Sequence, residues 1–290
     1  MYNSGKDLLK LTSEKNARIS DVVIEKECIY SDSTKEAVRK RMKNNLDVMK
    51  ASAQHAIDNE VKSVGGIIGG DAKKMEAYRK TGKTVCGDVI NKAMARAFST
   101  SEVNASMGRI CAAPTAGASG IIPAAILTVG EQLDASEDQL INALFTASGV
   151  GEIIAKNATL SGAEGGCQAE CGAAAAMAAA AIVEMYGGTP DMALHAAAAS
   201  LKNIMGLICD PIAGLVEAPC AKRNASGVVN AMLSADLALA GVQSIIPFDE
   251  VVEAMFKVGK ALPHELRETA LGGIATTETG IRIKKEIFGE

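Results

Sequence analysis

The chain predicts an all-α fold: closely packed helices rich in alanine and glycine, joined by glycine-rich turns that would carry a site. Three observations predict it. The 290 residues include 49 alanines and 28 glycines, against five phenylalanines, four tyrosines and no tryptophan. A core of such small side chains is built by close backbone approach rather than by aromatic bodies. Helical periodicity recurs along the chain, whereas strand signals are confined to Val22-Val23-Ile24 and Ile67-Ile68.

Taken in order, Val38, Met42, Leu46, Met49, Ala53 and Ile57 recur at spacings of three and four, one apolar face opposite Lys, Arg and Asn. Ile110 to Gly130 has no charge, but Pro114, Pro123, Gly117 and Gly120 make it a poor membrane span and a good buried loop leading into a helix. Ser136-Glu137-Asp138-Gln139 is a capping box opening a helix that carries Leu140, Ile141, Leu144 and Phe145. The run Ala173–Ala181, broken only by Met177, is the best helix former in the chain because alanine loses no rotamer entropy. It is too short to cross a bilayer. Gly227 to Leu239 and Asp249 to Val258 complete the set, the second with Asp249 as its expected N-cap.

All 290 residues read as one domain with two zones. Residues 1–100 hold 19 Lys/Arg and 13 Asp/Glu, whereas residues 101–250 hold only 20 charged residues in 150. The first zone is expected to be a solvated outer layer and the second a buried helical heart. A hydrophobic share of 48% excludes general disorder. Net charge −4 and a pI of about 5.6 argue against nucleic acid or an anionic membrane as partner. The amino-terminal segment has no apolar signal-peptide run, so a cytoplasmic location is expected, where seven cysteines do not form a disulfide framework.

Three glycine-punctuated stretches interrupt the helices. The first, Ala113 to Ala124, offers backbone amides, Thr115 and Ser119 to an anion, although a buried turn between helices explains it about as well. The second runs from Ser161 to Gly172 and holds Cys167 and Cys171; the third runs from Cys209 to Cys220 and continues into Lys222-Arg223-Asn224. Cysteines beside Gly or Pro sit on turns where a thiolate points freely. Zinc fits poorly, because structural sites use paired short spacings and a fourth ligand. Long gaps suit a cluster assembled between helices with one open iron. Free cysteines also pack as small buried hydrophobes, the expectation for Cys28, Cys86 and Cys111.

The strings APTAGASGIIPA, GCQAECG and CDPIAGLVEAPC followed by AKRNA, in this order, resemble the motifs of the iron–sulfur-dependent L-serine dehydratases, in particular the alpha chain of the two-chain type. The likeness runs from about Gly65 to Ala240. It implies a [4Fe–4S] cluster held by Cys167, Cys209 and Cys220. Cys171 departs from the pattern, which often has an aliphatic residue there, and is expected to be a bystander. The cysteine tail that reaches the cluster in some single-chain relatives is absent from the final residues Ile287 to Glu290.

The activity implied is β-elimination of water from L-serine, giving pyruvate and ammonia. The open iron would activate the hydroxyl as leaving group while a base takes the Cα proton. Thr115, Gly117 and Ser119, with Arg223 and Asn224, are the candidates for binding and neutralising the substrate carboxylate. A structural ion pair from Arg223 to Asp210 or Glu217 is the competing reading. The base is not identifiable: His195 lies in an apolar helical setting, His55 and His264 read as exposed, and Glu164 and Lys222 have no unique claim. A separate beta chain is the implied partner and is expected to supply part of the site. Elimination on L-cysteine is the nearest alternative activity, followed by a non-catalytic electron-transfer cluster protein. A pyridoxal-phosphate dehydratase is disfavoured because the glycine loop has no lysine.

Overall fold

The computed structural model describes residues 1–289. It contains thirteen α-helices and no strand among the described residues: α1 (Gly5–Lys15), α2 (Ile19–Tyr30), α3 (Lys35–Asp58), α4 (Asp71–Lys80), α5 (Gly87–Ala105), α6 (Ile121–Gln132), α7 (Glu137–Asn157), the single turn α8 (Gly162–Gly165), α9 (Ala173–Met185), α10 (Pro190–Asn203), α11 (Cys220–Leu239), α12 (Phe248–Ala261) and α13 (Glu278–Phe288). The all-α expectation holds. Val22-Val23-Ile24 lies inside α2 and Ile67-Ile68 in a loop, so neither strand signal is realised.

The alanine helix α9 is the axis of the molecule. Every residue from Ala173 to Val183 is buried, and α6, α7, α10 and α11 pack around it. Alanines admit neighbours on all sides, so a helix with little amphipathic contrast becomes a fully surrounded one. The face predicted on α3 is realised in part: Val38, Leu46, Met49 and Ala53 are buried, while Met42 and Ile57 are half-buried. Ser136 caps α7 through the Gln139 amide, as its capping box predicts. The two zones are less distinct than composition implies. Helix α5, which begins in residues 1–100 and runs just past them, is buried from Ala95 to Val103 and packs on α3, α4, α6 and α11.

Two helices are capped from elsewhere in the fold. Asp249 does not cap α12, whose N-cap is Pro247. Its carboxylate accepts the amides of Gly5 at 2.6 Å and Lys6 at 3.0 Å, closing the start of α1. The dipole at an N-terminus favours a carboxylate wherever in the chain it originates. Glu102 on α5 likewise accepts the Asp71 amide of α4 at 2.6 Å. Helix α11 also begins seven residues before the expected Gly227, at Cys220.

Close backbone approach is exacting where α12 crosses α8. A Cβ added at Gly259 would lie 2.8 Å from the Gly165 Cα and 3.0 Å from its carbonyl oxygen. A mid-helix glycine to alanine change ordinarily gains about 0.5–1 kcal/mol. Here the contact is backbone and cannot rotate away, so overpacking of roughly 1–3 kcal/mol outweighs that gain. Gly259→Ala is therefore expected to lower the denaturant midpoint, as followed by circular dichroism. A midpoint above wild type would show that α12 can retreat freely from α8.

Candidate functional site

Cys167 emerges from a turn that requires glycine. Gly166 has φ +75°, and a Cβ there would meet the Leu207 carbonyl oxygen at 2.8 Å. The next residue, Gln168, is buried and spends its whole side chain on backbone: its amide donates to the Gly165 and Met255 carbonyls at 2.9 Å, and its oxygen accepts the Gly206 amide at 2.8 Å. This bracket fixes the start of a π-helical turn, Gln168–Gly172, that widens the backbone before α9. Such single wide turns recur at functional sites. On this turn the Cys167 and Cys171 sulfurs lie 3.4 Å apart, both buried.

Cys209 is held by an isolated parallel bridge to Arg267. Its amide donates to the Leu266 carbonyl at 2.8 Å, and the Glu268 amide donates to the Cys209 carbonyl at 2.7 Å. That pairing carries Glu268 to the sulfur: the ligand atoms of Glu170, Cys209 and Glu268 all lie within 4.8 Å of one another. Cys220 opens α11 at the end of the turn that begins at Cys209. Glu217, buried in that turn, accepts the Ser63 hydroxyl at 2.5 Å and the amides of Gly65 at 2.7 Å and Ile67 at 3.1 Å. The glycine-rich loop 63–68 thereby pins the cysteine-bearing turn.

The loop 113–120 docks on the same face. Asn224 donates to the Gly117 carbonyl at 2.7 Å and the Cys220 carbonyl at 2.9 Å, and accepts the Gly120 amide at 2.9 Å. One side chain so ties the loop to the Cys220 turn. Ser119 is buried and donates inward to the Ala116 carbonyl at 2.7 Å. The Thr115 hydroxyl accepts the Ala118 amide at 3.3 Å and lies near enough to Glu170 to act on its carboxyl. Gly117 passes so close to Glu170 that a Cβ there would stand 3.4 Å from its carboxylate. Arg223 is not a free fork: it donates to the Ile208 carbonyl at 2.9 Å and to buried Asp210 at 2.8 Å. Of the two competing roles for Arg223, the ion pair with Asp210 is formed.

Burial and mutual charge set the electrostatics. The Cys171 hydrogen bond and the Arg223 charge hold the Cys167 thiol below its ordinary value against the opposing effect of burial. Burial raises the Cys209 thiol, with the charges of Cys167, Glu170, Glu268 and Cys220 adding to it. Burial pushes Cys220 up to about 12, again with Cys167 and Glu170 adding. Glu170 is raised to about 7, mainly by burial and further by Glu268, while the Thr115 hydrogen bond acts the other way. Soft sulfur donors that feel one another's charge in a buried pocket suit a thiophilic cation, which would relieve that repulsion.

The fold brings together Cys167, Cys209, Cys220, Arg223, Asn224, Thr115, Gly117 and Ser119, the residues singled out in the sequence. Cys28 and Cys111 are half-buried against the core, whereas Cys86 is exposed rather than packed inside. Glu164 and Lys222 are exposed. His195 is satisfied by the Ser244 amide at 3.3 Å and by Asp191 at 3.3 Å. Two carboxylates were not anticipated. Glu170 had a readable signal, an acid between two cysteines of GCQAECG. Glu268 had none, because it arrives from a distant segment through the bridge at Arg267.

A sequence model described as serine dehydratase alpha chain matches residues 14–275. The chain is 51% identical, over its full length and 96% of the relative, to a protein named probable L-serine dehydratase, alpha chain, from Bacillus subtilis. It is also 51% identical to L-serine dehydratase, alpha chain, of Peptoniphilus asaccharolyticus, covering 99% of that protein. With L-serine dehydratase 2 of Escherichia coli it shares 33% identity over 94% of this chain but only 61% of the relative. No helix among the described residues is long and apolar enough to cross a membrane.

Proposed function

The chain belongs to the serine dehydratase alpha-chain family, and from that premise we propose that it is the lyase chain of an L-serine dehydratase, releasing pyruvate and ammonia from L-serine. The observation that carries the reading is the meeting of three cysteines from two turns with two carboxylates and a glycine loop beside the α9 core. We assign a [4Fe–4S] cluster to Cys167, Cys209 and Cys220. The donor chemistry fits it: three thiols from two separate turns, two of them held protonated by burial, and each deprotonated on binding a metal. When bound, the cluster supplies a Lewis-acidic iron toward the substrate hydroxyl.

The remaining steps fall to this chain's own groups. Thr115 and the backbone around Gly117 receive the substrate carboxylate, and Ser119 and Asn224 hold that loop in register with Cys220. Arg223 acts as a fixed positive charge beside Cys167, itself oriented by Asp210. Glu170 stands against the glycine loop at Gly117 and within 4.8 Å of the Cys209 sulfur, and we assign it to the Cα proton. A separate beta chain completes the enzyme, in keeping with the alpha-chain names of the relatives and with the larger length of the Escherichia coli relative.

Anaerobic copurification with the cognate beta chain tests the reading through iron, sulfide and pyruvate release from L-serine and L-cysteine in parallel. About four irons per chain and preferential turnover of serine are expected. Faster release from L-cysteine would reassign the substrate, and turnover without iron would end the cluster reading.

A further inference from the structure

Cys171 has no task in the function proposed above, yet its position is unusual. Its sulfur is 3.4 Å from that of Cys167, both side chains are buried, and the pair spans the π-helical turn that opens α9. A disulfide bond is about 2.05 Å long, so the sulfurs stand little more than an ångström from bonding distance. Residues four apart on a helix have Cβ atoms roughly 5–6 Å apart, wider than the roughly 3.5–4.5 Å of a relaxed disulfide. A bond here would be strained, and strained disulfides are readily reduced. The family pattern often places an aliphatic residue at this position, which removes the partner thiol altogether.

We propose that Cys167 and Cys171 form a reversible, peroxide-driven disulfide when the site holds no metal, withdrawing Cys167 from the ligand set. The chemistry balances on these two residues and hydrogen peroxide. The Cys167 sulfur attacks one peroxide oxygen, the O–O bond breaks, and a sulfenic acid and water result. The Cys171 thiol then attacks that sulfur, the S–O bond breaks and a second water leaves. Two thiols are oxidised by two electrons and one peroxide is reduced to two waters. A dithiol reductant reverses the bond by exchange. Cys171 thereby protects Cys167 from irreversible oxidation to the sulfinic acid while making its availability to metal redox-dependent. The consequence for metal loading rests on the assignment of Cys167 as a ligand; the disulfide itself does not.

The full-length chain, stripped of metal and fully reduced, is treated with one equivalent of hydrogen peroxide and digested after alkylation. The peptide containing residues 167 and 171 is expected to lose two alkylation sites and two mass units, and to regain both sites after dithiothreitol. In Cys171→Ala and Cys171→Ser, given at least two equivalents of peroxide because each of the two oxidation steps consumes one, the same peptide is expected to gain 32 mass units at Cys167, the sulfinic acid, and to resist dithiothreitol. Iron uptake by the wild-type chain should fall severalfold after peroxide and recover on reduction; in both variants it should not recover. Retention of both alkylatable thiols in the wild type, or their pairing with other cysteines, overturns the proposal. A fully reduced wild-type chain that forms the disulfide on demand but never takes up iron overturns the ligand assignment and leaves the disulfide standing.

Discussion

Single replacement of Cys167, Cys209 or Cys220 by serine is expected to empty the chain of iron and to reduce serine turnover by at least about a thousandfold, since Lewis-acid activation is worth several kcal/mol of barrier. Cys209 and Cys220 stand at the two ends of one turn and Cys167 on another, so none of the three can replace a second without moving backbone; Cys171, 3.4 Å from Cys167, is the nearby thiol that serves as control. Cys209 is fixed from both sides by the Leu266 and Glu268 pairings, and Cys220 by the Asn224 and Glu217 anchors. Serine preserves volume and these anchors, so circular dichroism and the denaturant midpoint should stay near wild type while iron is lost. Serine at exposed Cys86 should change neither property, and at half-buried Cys28 or Cys111 should cost stability only slightly. Colorimetric iron and sulfide determination on anaerobically prepared variants decides the matter. If Cys171→Ser loses the metal and Cys220→Ser retains it, the ligand set is wrong.

What the sequence made legible was local. The α7 capping box, the alanine helix and the loop before α6 are read from neighbours within a few positions, and the structure realises them. The cysteine turns were legible because glycine and proline punctuate a helical text there. What depends on distant pairing was not. Asp249 looks like a local cap until its carboxylate is seen accepting the amides of Gly5 and Lys6, more than two hundred residues away. Glu268 lies in an unremarkable segment, and only its pairing with Cys209 brings it to the site. Arg223 was open to two readings in the sequence, a substrate fork or an ion pair with Asp210 or Glu217, and the fold decides between them by turning Asp210 back onto it across thirteen positions. The charge-poor zone was read as interior, and that was sound for α9, but it concealed the burial of α5 within the charged zone.

Glu170→Gln is expected to retain iron and lose turnover, by about a hundredfold to ten-thousandfold, the usual contribution of a positioned proton acceptor. The carboxylate qualifies on geometry. It lies near Thr115, stands beside the Gly117 backbone, and is within 4.8 Å of the Cys209 sulfur and the Glu268 carboxylate. A group assigned to the Cα proton must reach the substrate whose carboxylate sits on that loop, and Glu170 adjoins both the loop and the Cys209 sulfur. The isosteric amide keeps the volume and can still accept from Thr115, but it cannot take up a proton. The loss should therefore fall on kcat, with KM for serine changed much less. Glu268→Gln serves as the control: Glu268 lies near the Cys209 sulfur but is not placed against the Gly117 loop, so its loss should be much smaller. If Glu170→Gln loses iron in proportion to activity, Glu170 is a metal-site residue rather than the proton acceptor. If Glu268→Gln is the more damaging change, the proton acceptor is the carboxylate delivered by the carboxy-terminal segment. The Gln pair therefore distinguishes an acid built into the cysteine motif from one brought to it by the Cys209–Arg267 bridge.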